Sequence, residues 1–274
     1  MSNFTLRSIT GFLFITVLIA GITINTYSFL AVFSVITLLA LREFYHLSEK
    51  SGATPQKWMG IISGFTLFSS CFFHAYMDWN MGFLLLTIMG VCFFIAELYR
   101  KKPNPFTNIA YTLLGVIYVA LPFSLLNYLV FPNGDQQFHS EIVLGIFVMI
   151  WANDSGAYIV GVNFGKNRLF ERISPKKSWE GSIGGALSAL IIAWVCSLLC
   201  NDLSLIHWSV IALIVVFFGS MGDLTESLFK RSINIKDSGN ILPGHGGILD
   251  RFDAVFLAAP MVFVYLQIIK QIFH

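Results

Sequence analysis

Long apolar runs separated by short polar junctions organise this chain of 274 residues. Stretches of sixteen or more nearly uncharged residues recur from end to end. Each comes close to, or reaches, the length a helix needs to cross a hydrocarbon core of about 30 Å. The pattern predicts nine membrane helices, at about 9–24, 27–41, 58–76, 81–98, 108–131, 140–163, 182–200, 204–222 and 251–272. The expected fold class is therefore all-α, a polytopic integral membrane protein with about nine transmembrane helices. No repeat of fixed period and no low-complexity linker marks a second domain, so residues 1–274 are expected to form one membrane domain. Residues 1–139 carry few ionisable groups inside their runs besides Glu97, and read as mainly structural helices. From residue 140 onward the junctions fill with Asp, Lys, Gly and Pro, which places the chemistry in 140–274.

Composition agrees with this picture: AVILMFWYC residues make up 56% and charged residues 12% of the chain, where soluble domains carry about 25% charged residues. The cations add an orientation, because Lys and Arg in short loops stay on the cytoplasmic side. With the N-terminus inside, the nine spans put Arg7, Arg42, Lys50, Lys57, Arg100, Lys101, Lys102, Lys166, Arg168, Arg172, Lys176, Lys177, Lys230, Arg231, Lys236 and Arg251 in the cytoplasm. Only Lys270 falls outside, so the N-terminus is expected to be cytoplasmic and the C-terminus external. The net charge of +2 then reflects topology and does not call for a nucleic-acid partner. The first run, with Arg7 before it, has the look of a signal peptide. Only Asn25 and Thr26 separate it from the next run, which leaves no soluble segment to export. Cys71, Cys92, Cys196 and Cys200 all lie within runs, without a CxxC pair or a nearby His, and read as apolar packing residues.

Four polar groupings interrupt the second half. In "WANDSGAYIVGVNFGK", 151–166, Asp154 lies about nine residues, or roughly 13 Å, from the inner end of its helix, where a carboxylate is costly and usually functional. Gly156, Gly161 and Gly165 suit a close helix contact. The tail has GxxxGK spacing, one residue short of a phosphate-binding P-loop, and lacks its Ser or Thr. In "ISPKKSWEG", 173–181, a turn carries Lys176 and Lys177 to the entry of a helix. In "GDLTESLFKR", 222–231, Asp223, Ser227 and Lys230 share one helical stripe, flanked by Glu226 and Arg231. In "KDSGNILPGHGGILDRFDA", 236–254, Asp250 and Asp253 are three residues apart and face one way. Two such carboxylates suit magnesium, which completes its shell with water and substrate phosphates. The preceding "PGHGG" offers backbone N–H groups to an anion.

The stretch "SLFKRSINIKDSGNILPGHGGILDRFD", 227–253, resembles the family motif of phosphatidate cytidylyltransferases, also called CDP-diacylglycerol synthases. "NDSGAY" and "SPKKSWEG" resemble segments of the same family in the same order, so the likeness covers about the second half of the chain. It implies a membrane nucleotidyltransferase that joins CTP and phosphatidic acid, releasing pyrophosphate and forming CDP-diacylglycerol for phospholipid synthesis. It implies magnesium as cofactor, with a second cation left open, and suggests a homodimer in the bilayer of a bacterial inner membrane. On this reading Asp223, Asp250 and Asp253 bind metal, with Asp154 and Glu226 beside them as further ligands or supports. Lys230, Arg231, Lys236 and Arg251 meet phosphates, and Lys176 and Lys177 are available to do the same. Ser227 and the loop Pro243, Gly244, His245, Gly246 and Gly247 position the nucleotide. A secondary transporter would also use intramembrane Asp and Gly, but its site is expected near the midplane, often between paired repeats. A phosphotransferase that consumes CDP-lipids would carry a DGxxAR-type motif, which is absent.

Overall fold

A computed structural model describes residues 3–132, 134, 136–200, 202–239, 241 and 246–273. Among the described residues, eight helices are long and apolar enough to cross a membrane, and they cover eight of the nine expected runs. The remaining run falls on α1 (Asn3–Thr23), whose apolar stretch Ser8–Thr23 is shorter. The all-α expectation holds, with one short hairpin that run lengths could not reveal. The chain forms two compact units, Met1–Ser140 with Ser232–Phe252, and Glu141–Arg231 with Asp253–His274.

The first unit contains α1, α2 (Thr26–Lys50), α3 (Lys57–Met77), α4 (Met81–Arg100), α5 (Pro105–Gly115) and α6 (Leu121–Val130). Asn25 makes the tight entry to α2, its side chain accepting from the N–H groups of Tyr27 and Ser28 while the Ser28 hydroxyl accepts from Asn25 N–H. The fifth run is not one α-helix. Pro122 has no N–H to give to the carbonyl four residues back, and just before it the ladder widens into a π turn, Val116–Ala120, where Leu121 N–H bonds Val116 O. Tyr45 of α2 is fully buried and donates to Thr112 O at 2.7 Å. Gly60 and Gly115 face its ring, where a Cβ would collide with it. Glu97 is a structural clamp: it accepts from Gln56 (2.8 Å), Asn108 (2.8 Å) and Arg100 (2.7 Å), which satisfies the carboxylate where its helix would otherwise bury a bare charge. An aromatic chain runs from Phe33 to Phe123 and on to Phe252, which Phe14 also meets edge-on. Phe252 is fully buried and so pins the end of the returning segment Ser232–Phe252.

The second unit contains α7 (Glu141–Phe164), a hairpin of β1 (Arg168–Phe170) and β2 (Ser174–Ser178), α8 (Trp179–Leu199), α9 (Leu205–Ser232) and most of α10 (Leu249–Phe273). Helices α7 and α8 lie against each other along a row of small residues. A Cβ on Gly184 would overlap Val160, one on Gly156 would overlap Ser188, and one on Gly185 would meet Asn153. This is the close helix contact expected of Gly156. Ser178 caps α8, accepting Gly181 N–H at 3.1 Å, and Glu180 accepts from the N–H groups of Lys166 and Asn167, tying the base of the hairpin to the helix start.

Candidate active site

In the second unit the polar groups gather where α9 and α10 touch. Gly222 makes the contact possible, since a Cβ there would strike the carbonyl of Asp253, and Gly219 sits against Ala254 in the same way. The next residue, Asp223, is thereby carried to the side of Asp253. The two carboxyls lie within electrostatic reach of each other, with Asp154 adding a third negative group and Lys230 an opposing positive one. Lys177, delivered by β2, reaches Asp223 at 2.5 Å. The Ser227 hydroxyl donates to the other Asp223 oxygen at 3.2 Å, as the four-residue spacing leads one to expect. Lys230 and Glu226 form a buried pair one turn apart, 3.2 Å between charged atoms, with Glu226 only 1% exposed. Lys230 keeps its place in the Asp223 stripe of the continuous α9, with its ammonium paired to the flanking Glu226. Lys176, Arg231 and Asp154 are exposed.

The first unit holds the other residues singled out in the sequence. Asp250 opens α10, and its Oδ2 accepts from Ser238 N–H (3.0 Å) and Gly247 N–H (3.1 Å). Gly246 adopts φ +82°, a left-handed conformation that favours glycine, and a side chain there would press on the same Asp250 oxygen. Lys236 and Arg251 are exposed. Pro243, Gly244 and His245 lie outside the described residues. Gly247 has a packing reason to be glycine, because its α-carbon faces Glu43 and Ser238 with no space for a Cβ.

Two elements of this arrangement escaped the sequence reading. The hairpin that presents Lys177 looked like an ordinary turn, since β1 is only three residues long. Glu43 sits two residues beyond a run predicted to end at 41 and was not singled out in the sequence; the structure buries it to 4% exposure. A carboxylate about two turns inside the end of a long helix was the available signal.

The donors present fit a hard divalent cation. Asp253 lies within electrostatic reach of both Asp223 and Asp154, like charges that a cation would relieve by drawing their oxygens together. Lys177 and Lys230, beside these groups, suit phosphate oxygens.

Fold and site together define a class: an integral membrane protein with neighbouring carboxylates and lysines suited to phosphate chemistry. The chain belongs to the cytidylyltransferase family, whose profile matches residues 5–269. It is therefore a nucleotidyltransferase enzyme. It is 34% identical over 254 residues to the phosphatidate cytidylyltransferase of Staphylococcus haemolyticus (strain JCSC1435), an alignment covering 91% of this chain and 92% of that protein. It is 38% identical over 169 residues to the phosphatidate cytidylyltransferase of Bacillus subtilis (strain 168), covering 61% and 62%. To that of Staphylococcus aureus (strain COL) it is 33% identical over 238 residues, covering 85% and 87%. Nothing among these relatives supports the transporter alternative.

Proposed function

We infer that this enzyme transfers the cytidylyl group of CTP to phosphatidic acid, forming CDP-diacylglycerol and pyrophosphate in phospholipid synthesis. The observation that carries the reading is the Lys177, Asp223 and Asp253 grouping, in a chain whose relatives are named for this reaction. A phosphate oxygen of the lipid attacks the α-phosphorus of CTP. The new P–O bond forms as the bond to the bridging oxygen of the β-phosphate breaks, and pyrophosphate leaves with that electron pair. A phosphate monoester loses its second proton near pH 6, so the attacking oxygen is already largely ionised at neutral pH and needs no protein base. His245 is accordingly assigned to hydrogen bonding or loop shape, not to proton removal.

Bringing two anions together is the main task, and charge neutralisation the remedy. Asp223 and Asp253 are assigned to magnesium, with Asp154 close by. Bound there, the cation would neutralise charge on the phosphates and on the departing pyrophosphate. Asp250 is the third carboxylate that the resemblance assigns to metal, and it also closes the 238–247 loop. Lys177, Lys176, Lys230, Arg231, Lys236 and Arg251 are the cations available to substrate phosphates. Ser227 orients Asp223 and, with the glycine-rich loop, positions the nucleotide.

The defining experiment is pyrophosphate release by purified protein supplied with CTP and phosphatidic acid. Release that needs both substrates is expected, and a folded protein that releases none with both present sinks the reading. The cation distribution supports a cytoplasmic position for the charged groups, with the N-terminus inside and the C-terminus outside, and the bacterial relatives support a bacterial cell membrane. Assembly as a homodimer in the bilayer belongs to the same reading. In a background lacking the native cysteines, Asp237→Cys should label from inside and Gly134→Cys from outside. Labelling of position 134 from the cytoplasmic face alone would reverse the topology.

A further inference from the structure

Helix α2 lies in the half of the sequence that looked purely structural, yet its Glu43 is joined to the loop that carries Asp250. A carboxylate this deeply buried needs several hydrogen bonds or a cation to offset the water it has lost. Among the described residues its hydrogen-bond partners include the Ser238 hydroxyl, the Ile248 N–H at 2.8 Å and the Leu249 N–H, and none of these is a cation. Ser238 is itself 1% exposed. Each end of the loop is therefore gripped by two carboxylates. Ser238 gives its hydroxyl to Glu43 and its N–H to Asp250, while Ile248 N–H goes to Glu43 and Gly247 N–H to Asp250. Backbone presses on Glu43 from both ends: a Cβ on Gly239 would lie 3.0 Å from its carboxyl carbon, and one on Gly247 would overlap its oxygen.

We propose that Glu43 is a positioning residue for cytidylyl transfer, acting through Ser238 and Ile248 to set the loop that ends in Asp250. A helix-borne carboxylate suits this task, because its two oxygens can bridge the two loop ends. The inference rests on the activity proposed above, and its experiment separates the two. Glu43→Gln, Ser238→Ala and the double variant are compared with wild type by kcat, by KM for each substrate, and by amide hydrogen exchange. Glu43→Gln keeps the size but turns one acceptor into a donor; Ser238→Ala removes the same bond from the loop side.

Each single variant is expected to lower kcat about 10- to 100-fold, the usual cost of removing a group that orients a catalytic one. The double variant should be little worse than the poorer single, since both changes break one connection. Exchange should rise in 232–252 and stay unchanged in α3 to α6. If Glu43→Gln and Ser238→Ala both keep kcat within about twofold of wild type, Glu43 positions nothing. If exchange rises throughout the first unit while kcat per folded molecule is kept, its role is structural stability alone and the proposal falls. Should wild type lack CTP-dependent pyrophosphate release, the proposed activity fails, and the exchange pattern still decides whether Glu43 holds the loop.

Discussion

Replacing Asp223 by Asn is expected to lower kcat by roughly 10²- to 10³-fold, about 3 to 4 kcal/mol of lost transition-state stabilisation. The substitution preserves shape and removes the charge that faces Lys177 and neighbours Asp253. Stability should hardly change. Asp223 is about a third exposed, and an ion pair that open to water contributes little to folding. If Asp223 helps to hold magnesium, the variant will also need more of it: both half-saturation for activity and the magnesium-induced rise in melting temperature should move to higher concentration. A well-folded Asp223→Asn enzyme with near-normal kcat at ordinary magnesium would remove this residue from the metal assignment.

The sequence made some of this site plain and hid the rest, for physical reasons. Run lengths revealed the helices because a membrane imposes a minimum on them, and Asp223 with Ser227 was readable because a single helix fixes what lies four residues apart. The glycine row between α7 and α8 was readable in kind, although which residue each glycine faces depends on the rotation of both helices. Contacts across the chain were not accessible. Lys177 meets Asp223 from a hairpin too short to leave a periodic signal, and Glu43 reaches Ser238 across 195 positions. The break in the fifth run illustrates an intermediate case: Pro122 announces a disturbed ladder, but whether it kinks, ends or widens into a π turn is decided by the packing around it. For Lys230 the stripe was legible but the partner of its ammonium was not, because a long side chain reaches both flanks and the burial of Glu226 depends on packing.

Lys177→Met should lower kcat/KM by about 100-fold, since it deletes one of the cations available to a phosphate while keeping most of the side chain's apolar length. Its consequence for magnesium should be opposite to that of Asp223→Asn. Removing a positive group from beside the carboxylates leaves them more attractive to a cation, so half-saturation is expected to stay level or fall. The double variant carries the sharper test. A lysine has a flexible stem, and in this structure Asp223 is what holds its ammonium at 2.5 Å. Once Asp223 is uncharged the lysine loses that anchor, and deleting it should then cost little more. Lys177→Met with Asp223→Asn is therefore expected to fall within about threefold of Asp223→Asn alone, where independent residues would multiply their losses to roughly 10⁴-fold or more. Full multiplication would mean that the two side chains act separately and that their contact has no part in turnover. Near-wild-type activity of Lys177→Met alone would leave the hairpin without a catalytic purpose.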